Sequence, residues 1–228
     1  MAPDGGDPAA PVICVDGPGG SGKSTLAALL ADSLQWRHLD SGALYRLVAA
    51  AALERGMSLE DREALAGLAA RLDFRFEDAD PAVSGEAPGP DIRSEPVGAA
   101  ASTIAAYPEL RSAILSRQRA ARRPPGLVAD GRDMGTVVFP DAPLKIYLDA
   151  NPEVRAERRN KQLKNKGLNV SFRALLVGIH ERDARDRERA AAPLKPAGDA
   201  VVIDSTAMNL DEVLGQALAL VRERGLDR

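Results

Sequence analysis

Short apolar runs alternate with longer amphipathic segments along most of the chain. Four runs rich in aliphatic and β-branched residues are predicted to be buried strands, at 12–16, 126–130, 144–148 and 201–204. Apolar residues that recur with helical spacing predict helices over 25–34, 42–55, 58–72, 98–122, 152–165, 171–190 and 210–224. Strands separated by helices imply an α/β fold, with a parallel sheet covered on both faces and ligands bound at the carboxyl ends of its strands.

Two segments depart from this pattern. Residues 1–11 are rich in Gly, Pro and Asp and are predicted to form a disordered tail. Residues 73–97 contain four prolines, which exclude a long helix and predict a small β-containing insert. The remaining stretches, 12–72 and 98–228, are predicted to form one core domain. Within it, Ser58 is the predicted N-cap of the third helix, because an acid follows three residues later.

The composition narrows the class of protein. The 228 residues are 45% hydrophobic but only 4% aromatic, so the core is mainly aliphatic and base stacking on aromatic side chains is disfavoured. A single cysteine, Cys14, excludes an intramolecular disulfide and a cysteine-based zinc site. No apolar run reaches the roughly 18–20 residues of a membrane span. We expect a cytoplasmic monomer without membrane contact.

Charge is balanced overall but unevenly distributed. The net charge is −3, and the 30 cations are 24 Arg and six Lys, a bias that either GC-rich coding or bidentate phosphate recognition would produce. Residues 155–189 hold eleven cations against five acids. This stretch is consistent with a solvated helix laced with ion pairs, or with a basic surface that neutralises phosphate charge. The acidic pI of about 5.6 disfavours a nucleic-acid partner.

A glycine-rich loop follows the first predicted strand. Residues 17–24 match G-x-x-x-x-G-K-[ST] at every fixed position, between a strand and a helix. In such a loop the backbone N–H groups wrap a phosphate, Lys23 reaches the β- and γ-phosphates, and Ser24 ligates Mg²⁺. The predicted ATP-binding residues are Gly17, Pro18, Gly19, Gly20, Ser21, Gly22, Lys23, Ser24 and Thr25.

The loop predicts a triphosphate site but not a reaction. A GTPase is disfavoured because the nearest string to N-K-x-D, at 160–163, lacks the Asp. Large ATPases need a longer chain, whereas small kinases fit this length.

Other polar clusters follow the predicted strands and indicate an acceptor site. The stretch 39–46 (LDSGALYR) follows the first helix, and 130–135 (DGRDMG) ends a buried strand with two acids, an Arg and two Gly. Residues 182, 186 and 189 share one helical face. The stretch around Gly167 separates the predicted helices 152–165 and 171–190. It is predicted to belong to a lid over 158–182. The two histidines, His38 and His180, are expected to be surface or capping residues.

Together these motifs identify a resemblance that covers about 12–221. The strings VDGPGGSGKST, LDSGALYR, ADGRDMGTVVFPDAPLKIYLDA and ERDARDRERAAAPL resemble those of bacterial cytidylate kinases, a family of nucleoside monophosphate kinases. The resemblance implies a P-loop NTPase fold of three α/β/α layers, with a monophosphate-binding insert and a short lid. It also implies Mg²⁺-dependent transfer of a phosphoryl group from ATP to CMP or dCMP.

The resemblance further implies roles for individual residues. Ser102, Arg111 and Asp133 are the expected cytosine contacts, and a carboxylate, a guanidinium and a hydroxyl suit the edge of that base. The remaining expected CMP-binding residues contact phosphate or ribose or line the pocket: Ser41, Arg46, Arg132, Arg182, Asp186 and Arg189. The expected catalytic residues are Lys23, Arg132, Arg182 and Arg189.

Two features differ from the family pattern. Gly19 stands where the family usually has Ser, which removes a hydroxyl donor to the acceptor phosphate. The insert at 73–97 is several residues shorter than usual. The sequence leaves two alternatives open: a kinase with another small acceptor, such as UMP or a non-nucleotide, and a non-catalytic nucleotide- or RNA-binding module.

Overall fold

A computed structural model describes residues 7, 9–75, 82–83, 91–165 and 167–227. Seven strands are present in this part of the chain: β1 (Val12–Asp16), β2 (Arg37–Asp40), β3 (Phe74–Arg75), β4 (Ala82–Val83), β5 (Leu127–Gly131), β6 (Leu144–Asp149) and β7 (Val201–Asp204). Eight α-helices accompany them: α1 (Lys23–Leu34), α2 (Ser41–Glu54), α3 (Arg62–Arg71), α4 (Glu95–Ile104), α5 (Pro108–Ala120), α6 (Pro152–Asn165), α7 (Phe172–Glu188) and α8 (Leu210–Glu223).

Five strands form the predicted parallel sheet, in the order β2-β5-β1-β6-β7. Successive residues of β1 alternate between two apolar clusters, because side chains along a strand point to opposite faces. Val12 and Cys14 pack in the cluster formed with α2, α3, α4 and α5, whereas Ile13 and Val15 pack in the cluster formed with α1 and α8. The sheet is therefore the middle of three α/β/α layers, as predicted.

The carboxyl edge of this sheet carries four acids. β1 ends at Asp16, β2 at Asp40 and β6 at Asp149, while Asp130 is the penultimate residue of β5. Asp16 accepts the backbone N–H groups of Met134 and Gly135, both at 2.8 Å. It thereby fixes a π-helical turn, Met134–Val138, that follows β5.

Several boundaries differ from the sequence predictions. The predicted helix over 98–122 is two helices, because Pro108 starts α5 after the turn at Tyr107. The third helix begins at Arg62 rather than near Ser58, because the side chain of Asp61 accepts the N–H of Ala64 and provides the cap. β2 was not predicted at all; it is an edge strand with polar residues and one fully buried position, Leu39.

The predicted insert over 73–97 is described only in part. Strands β3 and β4 pair antiparallel, as expected of a small β-containing element. Residues 76–81 and 84–90 lie outside the described residues, and α4 already begins at Glu95.

Of the predicted tail over 1–11, residues 1–6 and 8 also lie outside the described chain. Its last residues contact the core: Ala10 is buried, and the Pro11 carbonyl accepts the N–H of Leu127 at 3.0 Å. No helix in the described ranges is long and apolar enough to cross a membrane.

Candidate active site

The glycine-rich loop connects β1 to α1 at the carboxyl edge of the sheet. Its first residue, Gly17, lies so close to β6 that a Cβ there would come within 2.1 Å of the Leu148 carbonyl oxygen. Gly22 has φ +96° and precedes the first helical residue, Lys23, so the loop enters α1 through a left-handed conformation that suits glycine. The N-terminus of α1 lines a cavity beside the loop, and an anion is favoured at this end of a helix.

Lys23 is buried inside this loop. Its Nζ donates to the Pro18 carbonyl at 3.2 Å, so the ammonium group rests on the loop's own backbone. Burial, together with the nearby Arg132, lowers the pKa of Lys23 to about 7. An entering phosphate would supply the negative charge that this ammonium group lacks.

Ser24 is held by a carboxylate from the neighbouring strand. Its Oγ donates to Asp130 Oδ2 at 2.7 Å, and Asp130 Oδ1 lies 2.8 Å from His38 Nε2. His38 was expected at the surface or at a cap; instead it contacts Asp130 and is largely buried. Asp40 lies near Asp130, and burial together with the Asp130 charge raises the pKa of Asp40.

The donor set around Ser24 fits Mg²⁺. Hydroxyl and carboxylate oxygens suit this hard cation, which in nucleotide sites takes one or two protein ligands and completes its shell with phosphates and water. Among the described residues no group of three or more His, Cys, Asp or Glu could hold a metal ion. Ser24 and, through it, Asp130 are the residues that would hold the ion.

Two arginines of α6 support the loop from outside. Arg155 is almost fully buried and donates to the Gly19 carbonyl at 3.1 Å while making a bidentate pair with Asp183 of α7, at 3.0 and 2.5 Å. Arg158 donates to the Ser21 carbonyl at 3.1 Å. Part of the basic stretch 155–189 is therefore internal structure rather than a solvated face.

Two large cavities meet at the loop. One, of about 470 Å³, is lined by Gly20–Thr25 together with Arg158 and residues around the start of α8. The other, of about 530 Å³, lies between the loop and Asp40, Arg46 and Arg132. Of the predicted ATP-binding residues, Gly20 to Thr25 line the first cavity and Gly19 lines the second, whereas Gly17 and Pro18 shape the loop.

A third, narrower cavity of about 60 Å³ is lined by side chains that include every predicted CMP-binding residue. These residues come from α2, α4, α5, the loop after β5, α7 and the segment just after α7. They are Ser41, Arg46, Ser102, Arg111, Arg132, Asp133, Arg182, Asp186 and Arg189.

Two ion pairs organise this pocket. Arg111 donates to Asp133, and Arg132 donates through Nε to Asp186 at 2.9 Å. Burial raises the pKa of Asp133 even though Arg111 acts to lower it. Burial also acts to raise the pKa of Asp186. The charges of Arg132 and Arg182 outweigh burial there and hold this pKa below its usual value.

Three further side chains of the pocket have buried polar atoms without a partner among the described residues. These atoms are Ser102 Oγ, Arg182 Nε and Arg189 Nη2. Burial, with a contribution from Arg132, lowers the pKa of Arg182 to about 10. Buried donors are normally satisfied, and these three lie where a ligand would supply the acceptors.

Pocket residues are also held by neighbours that sequence reasoning missed. Gln118 of α5 is buried and donates to Ser41 Oγ at 2.7 Å, which leaves the Ser41 hydroxyl proton free to point elsewhere. The Ile92 carbonyl accepts Arg46 Nη1 at 2.7 Å. A Cβ on Gly19, where the family usually has Ser, would lie 3.4 Å from Arg132 Nη2, so that position faces the pocket's arginines. No local motif marks Gln118 or Arg155, because their partners lie 77 and 28 residues away.

The helix predicted over 171–190 ends at Glu188, and Arg189 is the residue that follows it. Arg189 nevertheless reaches the same pocket as Arg182 and Asp186, and its Nε donates to the Asp186 carbonyl at 3.3 Å.

The phosphate-binding loop lies at the edge of a parallel sheet, and the arginine-lined third cavity lies close to it. Together they define a P-loop phosphotransferase with two anionic ligands. The family model described as cytidylate kinase matches residues 13–223. The chain belongs to the cytidylate kinase family. It is similar to the cytidylate kinase of Yersinia enterocolitica, at 58% identity over 92% of this chain and 93% of the relative. The corresponding protein of Pectobacterium atrosepticum is 57% identical over 94% of this chain and 97% of the relative.

Proposed function

We propose that this chain phosphorylates CMP and dCMP with ATP, by direct in-line transfer of the γ-phosphoryl group between ligands in the loop and in the nine-residue pocket. The cytidylate kinase activity follows from the family and its close relatives. The assignment of residues rests on one observation: buried arginines, acids and an unsatisfied hydroxyl converge on a single pocket that adjoins the phosphate-binding loop.

The base-binding end of the pocket is Ser102, Arg111 and Asp133. The Asp133 carboxylate accepts from the cytosine amino group, while Arg111 and Ser102 donate to the ring oxygen and nitrogen. Because Arg111 already binds Asp133, the carboxylate is held in place before the ligand arrives. A uracil would present a carbonyl oxygen to the same carboxylate, and this repulsion disfavours UMP.

The phosphate-binding end uses a different set. Arg46 and Arg132 bind the acceptor phosphate, Arg182 and Asp186 lie on the ribose side, and Arg189 contacts phosphate near the transferring group. The Arg132–Asp186 pair orients the guanidinium before binding, which lowers the entropic cost of holding a phosphate.

Catalysis is positioning and charge neutralisation. The acceptor phosphate is already an anion near neutral pH, so no side chain must remove a proton. Lys23 leaves the Pro18 carbonyl for the β- and γ-phosphates, and Arg132, Arg182 and Arg189 neutralise charge on the transferring group. Mg²⁺, held at Ser24, supplies further neutralisation of the triphosphate when bound.

The remaining assignments are also proposals. A lid over 158–182 would include the end of α6, the connection to α7 and most of α7, and would bring Arg182 toward the phosphates. The core over 12–72 and 98–228 would carry both ligands, with 73–97 as part of the monophosphate-binding insert. We propose a cytoplasmic monomer that binds no nucleic acid or membrane.

A coupled assay of ADP formation tests the proposal. We expect turnover with ATP plus CMP or dCMP, and its loss when EDTA removes divalent cations. Lack of turnover, combined with tight RNA binding in a filter assay, would instead support the non-catalytic module.

A further inference from the structure

Both carboxylate oxygens of Asp130 are engaged by side chains, although the phosphotransferase mechanism uses only one of these contacts. Oδ2 accepts the Ser24 hydroxyl at 2.7 Å, and Oδ1 lies 2.8 Å from His38 Nε2. The side chain of Asp130 is 2% exposed and that of His38 is 16% exposed. The three residues form a row that runs from the edge strand, β2, through β5 to the first turn of α1.

Strand register brings the histidine to the carboxylate. β2 pairs in parallel with β5, so that His38 stands opposite Val128 and Asp40 stands opposite Asp130. Side chains two residues apart on a strand share a face, so His38 and Asp130 are diagonal neighbours on the same face of the sheet. This contact depends on the pairing of an edge strand and was not predictable from spacing in the sequence.

The proton inventory of these groups fixes their roles. A carboxylate oxygen accepts hydrogen bonds, so the 2.8 Å contact at Oδ1 is a hydrogen bond from His38 when the ring proton is on Nε2. Ser24 has one hydroxyl proton, which it gives to Asp130, and its oxygen lone pairs remain available to a cation on the phosphate side. A rotation of the Asp130 carboxylate would break this arrangement, and the bond from His38 opposes that rotation.

We propose that His38 is a positioning residue of the metal–nucleotide site: its Nε2–H holds Asp130, and Asp130 holds Ser24 with its lone pairs toward the phosphates. His38 does not line any of the three cavities described above, so it acts through Asp130 and not on substrate. The inference rests on the proposed role of Ser24 as a Mg²⁺ ligand. Residues that orient a metal ligand in this way typically contribute about 10- to 100-fold to metal affinity or activity.

The chain offers a built-in control, because it contains only two histidines and the second, His180, lies exposed on α7. In a long-range ¹H–¹⁵N NMR spectrum of the unliganded protein, the signals missing from His38→Leu belong to His38. We expect His38 to show the Nε2–H form as a single tautomer, while His180 gives an averaged signal. A His38 ring that carries its proton on Nδ1 and none on Nε2, or that is averaged like His180, would overturn the inference without any measurement of activity.

The functional arm compares His38→Leu with His38→Gln. Leucine fills a similar space without a donor, whereas the Gln side-chain amide places an N–H near the position of Nε2. We expect His38→Leu to raise the Mg²⁺ concentration for half-maximal rate about tenfold. The Kd for CMP without metal should stay unchanged, and His38→Gln should restore most of the loss.

Two results would overturn the inference: an unchanged Mg²⁺ requirement in His38→Leu, or a His38→Gln protein as impaired as His38→Leu, which would make the role one of packing. A Ser24→Ala variant separates this failure from failure of the proposed metal site. If Ser24→Ala raises the Mg²⁺ requirement and His38→Leu does not, only the positioning role is wrong. If Ser24→Ala leaves the requirement unchanged, the metal role of Ser24 fails and the inference falls with it.

Discussion

The phosphate-binding loop draws its residues from one short stretch, 17–24, whereas the acceptor pocket collects its nine residues from positions between 41 and 189. The two regions also treat charge differently. In the loop, Lys23 rests on a carbonyl and its pKa falls to about 7. In the pocket, Arg111 and Arg132 are each paired with an acid before a ligand arrives. On the donor side, a bound phosphate would supply the negative charge next to Lys23. On the acceptor side, carboxylates of the protein already hold Arg111 and Arg132 in place.

This difference has a physical reason. A triphosphate is recognised by backbone N–H groups and a point charge, which a short glycine-rich loop can supply from neighbouring residues. A base and a monophosphate need directed donors and acceptors at fixed positions, so rigid side chains from several elements must converge.

We expect the largest effect from a substitution that removes the donor-side cation, Lys23, and leaves the acceptor side intact. Lys23→Met should reduce kcat about 10²- to 10³-fold, since it removes charge stabilisation of the transferring phosphoryl group. The Kd for CMP, measured by calorimetry, should stay near that of the parent. Lys195→Met, at an exposed lysine, is the matched control. Equal losses in catalysis and in CMP binding would show that the two sides are not separable.

The next change is made on the acceptor side. Arg132→Ala should reduce kcat/KM for CMP at least about tenfold, because it removes the proposed phosphate ligand and the ion pair with Asp186. Nucleotide binding at the loop should persist, as measured with ADP. Arg222→Ala, at an exposed arginine of α8, controls for loss of a guanidinium elsewhere. Kinetics like those of the parent would contradict the role of Arg132.

A smaller change concerns selectivity. Asp133→Asn replaces an acceptor of the cytosine amino group by an amide that can also donate, so the preference for CMP over UMP should fall about tenfold. The measurement is the ratio of kcat/KM for the two acceptors. If that ratio did not change, Asp133 would not read the base.

The smallest effect tests the residue that joins the two regions. Asp16 ends the strand before the loop and holds the turn after Arg132 and Asp133. Burial raises its pKa to about 7, so between about pH 4 and 7 the folded protein retains a proton that the unfolded chain has released. This contribution to stability is present at low pH and is lost as pH rises through 7.

Urea unfolding at pH 5 and pH 8 measures this effect. The parent should lose more stability over this interval than Asp16→Asn, which carries no charge at either pH. Parallel pH dependence of the two proteins would show that Asp16 does not titrate in this range.

The parts of the molecule that the sequence predicted correctly are those encoded locally. β1 and β7 have the predicted bounds because each is an apolar run, and the loop is recognised from one motif. β2 escaped prediction because only Leu39 is fully buried in an edge strand whose other residues are polar. The break before Pro108 lies within continuous helical periodicity, which masked it.

The same reasoning applies to the site. The roles of the nine predicted CMP-binding residues were obtained from the family resemblance, although the polar stretches 39–46 and 130–135 already indicated an acceptor site. Their convergence depends on how α2, α4, α5 and α7 pack. Contacts such as Gln118 to Ser41, Arg155 to Gly19 and His38 to Asp130 join elements distant in the sequence. No spacing rule links such pairs, because sheet order and helix packing bring them together.

Above all, we propose that the acceptor pocket selects a cytidine monophosphate for phosphorylation. Initial rates of ATP consumption with each ribo- and deoxyribonucleoside monophosphate test it most directly. We expect kcat/KM for CMP and dCMP to exceed that for UMP, AMP and GMP by about 10²-fold or more, since the pocket is built from directed polar contacts. Comparable rates with UMP or a purine nucleotide would contradict the claim.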